Sequence, residues 1–135
     1  MTFEPDNRRQ LVQRYLASAE ERLRAAEVLL TSAQWADTIS RAYYAMLDAA
    51  SACLVQKDVV PKSHEGTLTL FGLHFVKTGL VDARFSEWLR KVRKARLEAD
   101  YRHVHVFTEA EAREACDAAR QLVSETHRVV TSAGN

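Results

Sequence analysis

Apolar residues recur every three or four positions in this chain, over long stretches with few breaks, and that spacing limits the fold more than any other feature. Leu11, Tyr15, Leu16, Ala19, Leu23, Ala26 and Leu30 form the first run. This is the period of one face of an α-helix. Trp35, Ile39, Tyr43, Met46, Leu47, Ala50 and Leu54 form the second. Alternation of the strand type is scarce, and 2 prolines and 4 glycines punctuate the chain too rarely to interrupt such runs. The predicted class is all-α, an up-and-down bundle of four long helices plus one short helix.

Local signals set the expected boundaries. Asp6 is the predicted N-cap of the first helix, and Thr31-Ser32 its end. The second helix is rich in alanine (Ala42, Ala45, Ala49, Ala50, Ala52), which suits close approach of neighbouring helices, and Lys57-Asp58 ahead of Pro61 closes it. Ser63 is placed to cap a short third helix carrying Leu68, Phe71, Leu73 and Phe75. Gly79 ends that unit and Asp82 opens the next, whose stripe is Phe85, Trp88, Leu89, Val92, Ala95 and Ala99. An apolar connector from Val104 to Phe107 leads to Thr108, which with Glu111 three residues later reads as a capping box for the last helix.

Composition bounds the function. With 47% hydrophobic and 27% charged residues in 135, the chain reads as one globular domain over residues 1–135, with a core from about 8 to 131. A net charge of +1 excludes a general nucleic-acid-binding field, so any basic site must be local. Cys53 and Cys116 stand apart among alanines and leucines, as buried thiols do. Met1 to Gln10 has no apolar signal-type stretch, and no run approaches the ~18 apolar residues of a membrane span. A cytoplasmic protein with no membrane contact is expected.

The segment "RKARLEADYRHVHVF", Arg93 to Phe107, concentrates charge, a tyrosine and two histidines. Basic residues near a helix C-terminus complement the helix dipole, and Arg90, Lys91, Arg93 and Lys94 need do no more than that as solvated surface. Arg96 differs, because it continues the register of Phe85, Trp88, Leu89 and Val92 and so faces the packed side. A long cation there needs a partner, which Asp100 or a bound phosphate would supply. Arg96, Asp100 and His103 follow the i, i+4, i+7 spacing, one face of a helix if the helix continues that far. Arginine and histidine together suit RNA cleavage without a metal. A base takes the ribose 2′-OH proton, the guanidinium steadies charge at phosphorus, and an acid protonates the leaving 5′-oxygen. About 10 Å of axial rise separates i from i+7, which fits a site completed by a second subunit better than one within a single chain. His105 alternates with Val104 and Val106 as a flanking residue, and the pair His103–His105 lacks the further ligands of a metal site. No metal or cofactor is expected.

Three segments carry a resemblance. "SRAYYAMLDAASACL" (Ser40–Leu54), "PKSHEGTLTLFGLHFVKTGLV" (Pro61–Val81) and "ARLEADYRHVHVFTEAEAREA" (Ala95–Ala115) resemble, in order, the R-x-YY-A, K-[ST]-H-x-G and R-x-x-A-D-Y signatures of the small prokaryotic branch of the HEPN domain family. The resemblance covers about residues 10–130. It implies a helical bundle that homodimerises, and for many members a metal-independent endoribonuclease whose Arg and His, four to six residues apart, meet at the dimer cleft. Many such proteins are toxins paired with a minimal nucleotidyltransferase antitoxin. The resemblance places Arg96 and His103 as the catalytic pair, and Asp100, Tyr101, Arg41, Tyr44 and His64 at the cleft or substrate. Leu97 stands where a polar residue often follows the catalytic Arg. In a related branch a tyrosine at the end of the motif can be adenylylated; here that position is His105, and Tyr101 is the nearest tyrosine.

Two functions compete, beside a third reading as a plain oligomeric scaffold, for which Arg96 and His103 should lie apart and away from any shared cleft. One is a HEPN endoribonuclease, the toxin of a toxin-antitoxin pair. The other is a non-catalytic module that binds nucleotide or RNA and partners a minimal nucleotidyltransferase, with Arg96 and Asp100 as a structural ion pair.

Overall fold

The computed structural model describes residues 3–100 and 105–133. Five α-helices account for most of them: α1 (Pro5–Thr31), α2 (Trp35–Gln56), α3 (His64–Phe71), α4 (Ala83–Ala99) and α5 (Glu109–Ala133). The all-helical reading of the sequence holds, and no strand occurs among the described residues. α2 is the central element: α1, α3, α4 and α5 all pack on it. Its fully buried side chains include Ile39, Tyr43, Met46 and Leu54, each contributing about 1.5–3 kcal/mol by leaving water. Ala42, Ala45, Ala49, Ala50 and Ala52 are equally buried, and their small size lets four neighbours approach one helix.

The ends of the helices follow their local chemistry. α1 begins at Pro5, behind Glu4, with no side-chain cap. The expected cap, Asp6, instead lies in the first turn and pairs with Arg9 at 2.9 Å. Proline explains the shift: it lacks an N–H and holds the φ that a first helical residue needs. α1 and α2 end alike. Ala33 and Asp58 take positive φ (59° and 60°), and the next amide closes back on the carbonyl five residues earlier, Gln34 to Leu29 and Val59 to Leu54, each at 2.9 Å. Asp58 also accepts from the Phe3 amide and from Arg8, both at 3.0 Å, tying the start of α1 to the end of α2.

Ser63 caps α3 by accepting from the Gly66 amide at 2.9 Å. Gly66 suits that place, because a Cβ there would sit 2.7 Å from the Ser63 hydroxyl. α3 runs on into a π-helical turn, Gly72–Val76, which sets Phe71 and Phe75 stacked in the core with ring centroids 5.6 Å apart. Leu73, expected among the apolar positions of this helix, is turned outward and 49% exposed. Asp82 accepts from the Arg84 amide at 2.9 Å, as its place ahead of α4 predicts. At α5 the capping box is complete: Thr108 N–H donates to Glu111 at 2.9 Å, and the Glu111 amide donates to the Thr108 hydroxyl at 3.2 Å.

Both cysteines are buried. Burial pushes the Cys53 thiol up to about 11, so it stays protonated and unreactive at neutral pH. Its sulfur meets the Thr126 hydroxyl, which donates in turn to the Ala49 carbonyl, satisfying the polar groups where α5 crosses α2.

Two measurements test this account. Leu89→Ala should cost about 2–5 kcal/mol by opening a cavity in the core, whereas Leu73→Ala should stay within about 0.5 kcal/mol; urea midpoints of the two variants decide it. The Glu111 carboxyl is held below the usual carboxylate range, first by the Thr108 amide. A depressed folded-state pKa stabilises the native state above the unfolded value and is lost as pH falls through the folded one. The stability gap between the wild type and Glu111→Gln should therefore be widest near neutrality and narrow below about pH 4, in urea titrations across that range.

Candidate functional site: an arginine groove over Tyr44

Arg96 is on the last turn of α4, on the side that faces α2, and its side chain is 23% exposed. Its register with Phe85, Leu89 and Val92 puts it there, as the sequence indicates. Its Nη2 donates to the Tyr44 hydroxyl at 2.6 Å, and its Nη1 lies 3.3 Å from Asp100 Oδ2. Its Nε is buried and has no hydrogen-bond partner among the described residues.

Tyr44 is the hub of the site. The guanidinium carbons of Arg96 and Arg22 lie 5.2 and 5.1 Å from its ring centroid, a cation–π arrangement with both cations. Arg22 comes from α1, and its Nε meets Asp48 at 3.0 Å. The Ser18 hydroxyl donates to the same Asp48 oxygen at 2.6 Å. A connected line of contacts thus runs Ser18–Asp48–Arg22–Tyr44–Arg96–Asp100 across α1, α2 and α4.

His64, at the first position of α3, closes the aromatic side. Its ring lies 5.9 Å from that of Tyr44 and 5.7 Å from that of Tyr43. Tyr43 is wholly buried, and burial raises its phenol above the usual tyrosine range, with the Arg93 charge offsetting part of the rise. Its hydroxyl meets no described partner at hydrogen-bond geometry, although Arg93 is near.

Arg22, Arg41, Tyr44, Arg96, Asp37 and Asp100 line one open cavity of about 550 Å³. The structure therefore gathers Arg41, Tyr44, Arg96 and Asp100 on one groove, with His64 against the back of Tyr44. Tyr101 and His103 lie outside the described residues. α4 ends at Ala99 with Asp100 as its C-cap. Arg93 corrects the sequence reading: it is not solvated surface but is 30% exposed and pairs with Glu65 at 3.0 Å, next to Arg90 on the same carboxylate at 3.2 Å. His105 does more than flank, since its ring meets Glu111 at 3.3 Å and sits edge-on to Phe107. Sequence reasoning missed Arg22; the available hint was its i, i+4 pairing with Ser18 beside the apolar stripe of α1. No group of three metal-ligating side chains occurs among the described residues, and no described helix is long and apolar enough to cross a membrane.

The model of the HEPN domain matches residues 12–129, and the chain belongs to that family. A Methanocaldococcus jannaschii protein named "Putative toxin" is 37% identical over 93 residues, 69% of each chain. A UPF0332 protein of Pyrococcus horikoshii is 40% identical over 78 residues, 58% of this chain and 55% of that one. A crystal structure from Thermus thermophilus superposes with a TM-score of 0.76 at 20% identity, covering 87% of this chain and 97% of that one, and so shares the fold.

The network is expected to hold the three helices in register. Asp48→Ala should cost about 2 kcal/mol, because the Arg22 Nε and the Ser18 hydroxyl lose the charged oxygen that accepts from both, and Tyr44→Phe about 1 kcal/mol, because the Arg96 fork can still reach water. Urea unfolding of both variants checks this, and neutral values for both would mean that the network carries no stability.

Proposed function

We propose that this chain is a metal-independent endoribonuclease, the toxic member of a toxin–antitoxin pair, acting as a homodimer on RNA. The observation that carries this reading is the setting of Arg96, a guanidinium held by a tyrosine at the wall of an open groove that two further arginines line. Tyr44 orients the fork through a neutral hydroxyl, and the carboxylate that meets its other terminal nitrogen, Asp100, is half exposed, so a phosphate entering the groove can compete for the guanidinium. Family membership and the name borne by the M. jannaschii relative support the same reading.

In the proposed reaction a base removes the 2′-OH proton and the 2′-oxygen attacks the adjacent phosphorus. A 2′,3′-cyclic phosphate forms as the bond to the 5′-oxygen breaks, and an acid returns a proton to that oxygen. Arg96 stabilises the charge that builds on the non-bridging oxygens, and His103 exchanges a proton at one of the two bridging positions. Two copies of the chain would bring their Arg96 and His103 to one cleft. Arg41, Tyr44 and Asp100 border the substrate, and His64 supports Tyr44.

One observation favours a second reading. Asp100 already answers Arg96 within the same chain segment, and Asp37 also lines the groove. A non-catalytic module that binds nucleotide or RNA and docks a minimal nucleotidyltransferase would need no more than this. It would form a stoichiometric complex with that partner and leave RNA intact.

Cleavage of a labelled single-stranded RNA by the purified protein separates the two. Arg96→Ala and His103→Ala should each lower the rate by about 100-fold or more, with the helical circular dichroism signal unchanged. A fully active His103→Ala protein would remove histidine from the mechanism.

A further inference from the structure

Arg41 lies on the exposed side of α2, on the wall of the Arg96 groove, and it has no hydrogen bond or ion pair with any described residue. Arg22 is anchored from behind. Its Nε meets Asp48 at 3.0 Å and Ser18 at 3.3 Å, and its guanidinium lies over the Tyr44 ring. These contacts leave its terminal nitrogens for a ligand. Arg22 and Arg41 line two cavities: the one of about 550 Å³ that contains Arg96, and another of about 160 Å³ with Ser18, Glu21 and Ala25. The two spaces share both arginines, so together they make a track that passes from Arg96 over Tyr44 toward α1.

Two anchored cations and an exposed third along a track are a means of following a phosphodiester backbone. Arg22 and Arg96 are 5.1 and 5.2 Å from the same ring centroid, close enough together to serve neighbouring phosphates of one strand. The carboxylates limit the reading to specific contacts. Asp37 and Asp100 line the larger cavity and Glu21 the smaller, so the track is not a broad positive field. Recognition must come from the planar forks, one oriented by Asp48 and one by Asp100.

We propose that Arg22 and Arg41 form a phosphate seat beside Arg96, so that the groove holds two consecutive phosphates of single-stranded RNA. The reacting phosphate lies at Arg96 and its neighbour at Arg22 and Arg41. This rests on the RNA-directed reading above and adds to it the substrate contacts outside the reacting bond.

The test is binding of a single-stranded 2′-O-methyl RNA oligonucleotide, which lacks the nucleophile, followed by fluorescence anisotropy over a series of KCl concentrations. Each lost phosphate contact makes the slope of log K against log[salt] shallower by about 0.7. Arg41→Ala and Arg22→Gln should each show that change, and the double variant about 1.4. Arg9→Ala, about 20 Å from Arg22 along α1, should keep the wild-type slope. Arg41 is exposed and pairs with no described residue, so its variant is expected to fold as the wild type does and the result does not depend on Arg22→Gln. If the wild type binds and Arg41→Ala and the double variant keep its slope, the seat is overturned and the RNA reading stands. If the wild type shows no salt-dependent binding, both are overturned.

Discussion

Burial of α2 on every side but one is the constraint from which the rest of the molecule follows. A helix with four packed neighbours can carry little bulk and almost no unpaired polarity. Alanine at 42, 45, 49, 50 and 52 meets the first demand. The second leaves a single polar stripe, Asp37, Arg41, Tyr44 and Asp48, at spacings of four, three and four, which share one face. The groove is where that stripe reaches the surface, between α1 and α4. Core and site are thus opposite consequences of the same helix.

Tyr44 explains how two cations are brought to one place. Its ring face meets both guanidinium groups, and its hydroxyl accepts from Arg96. Each cation is also paired with one carboxylate: Asp48 grips the Nε of Arg22 and Asp100 one terminal nitrogen of Arg96. Each fork is oriented while part of it still faces the groove.

The fold was largely legible in the sequence, because helical period and caps are local. The Ser63, Asp82 and Thr108/Glu111 signals stand where the chain needs them. Where local reading erred, a neighbour overrode it. Pro5 took the first helical position and displaced Asp6 from the cap. Leu73, two residues from both Phe71 and Phe75, falls on the opposite side of the helix from them and is left to solvent. Arg93, partly covered, pairs with Glu65, a residue of α3 that no spacing within α4 could reveal. In the site, the phase of Arg96 was readable from α4 alone, and the resemblance supplied Arg41, Tyr44 and His64.

The sequence by itself determined that the chain is a helical bundle of HEPN type and that Arg96 faces inward, since periodicity and motif are properties of adjacent residues. Only the tertiary structure decided what Arg96 faces. The Tyr44 hydroxyl that receives it is 52 residues away in the chain, and Arg22, which shares the Tyr44 ring, belongs to a helix whose arginines look alike until α2 is packed against it. A cation's partner is set by distance in space, and spacing along one helix carries no information about the helix beside it.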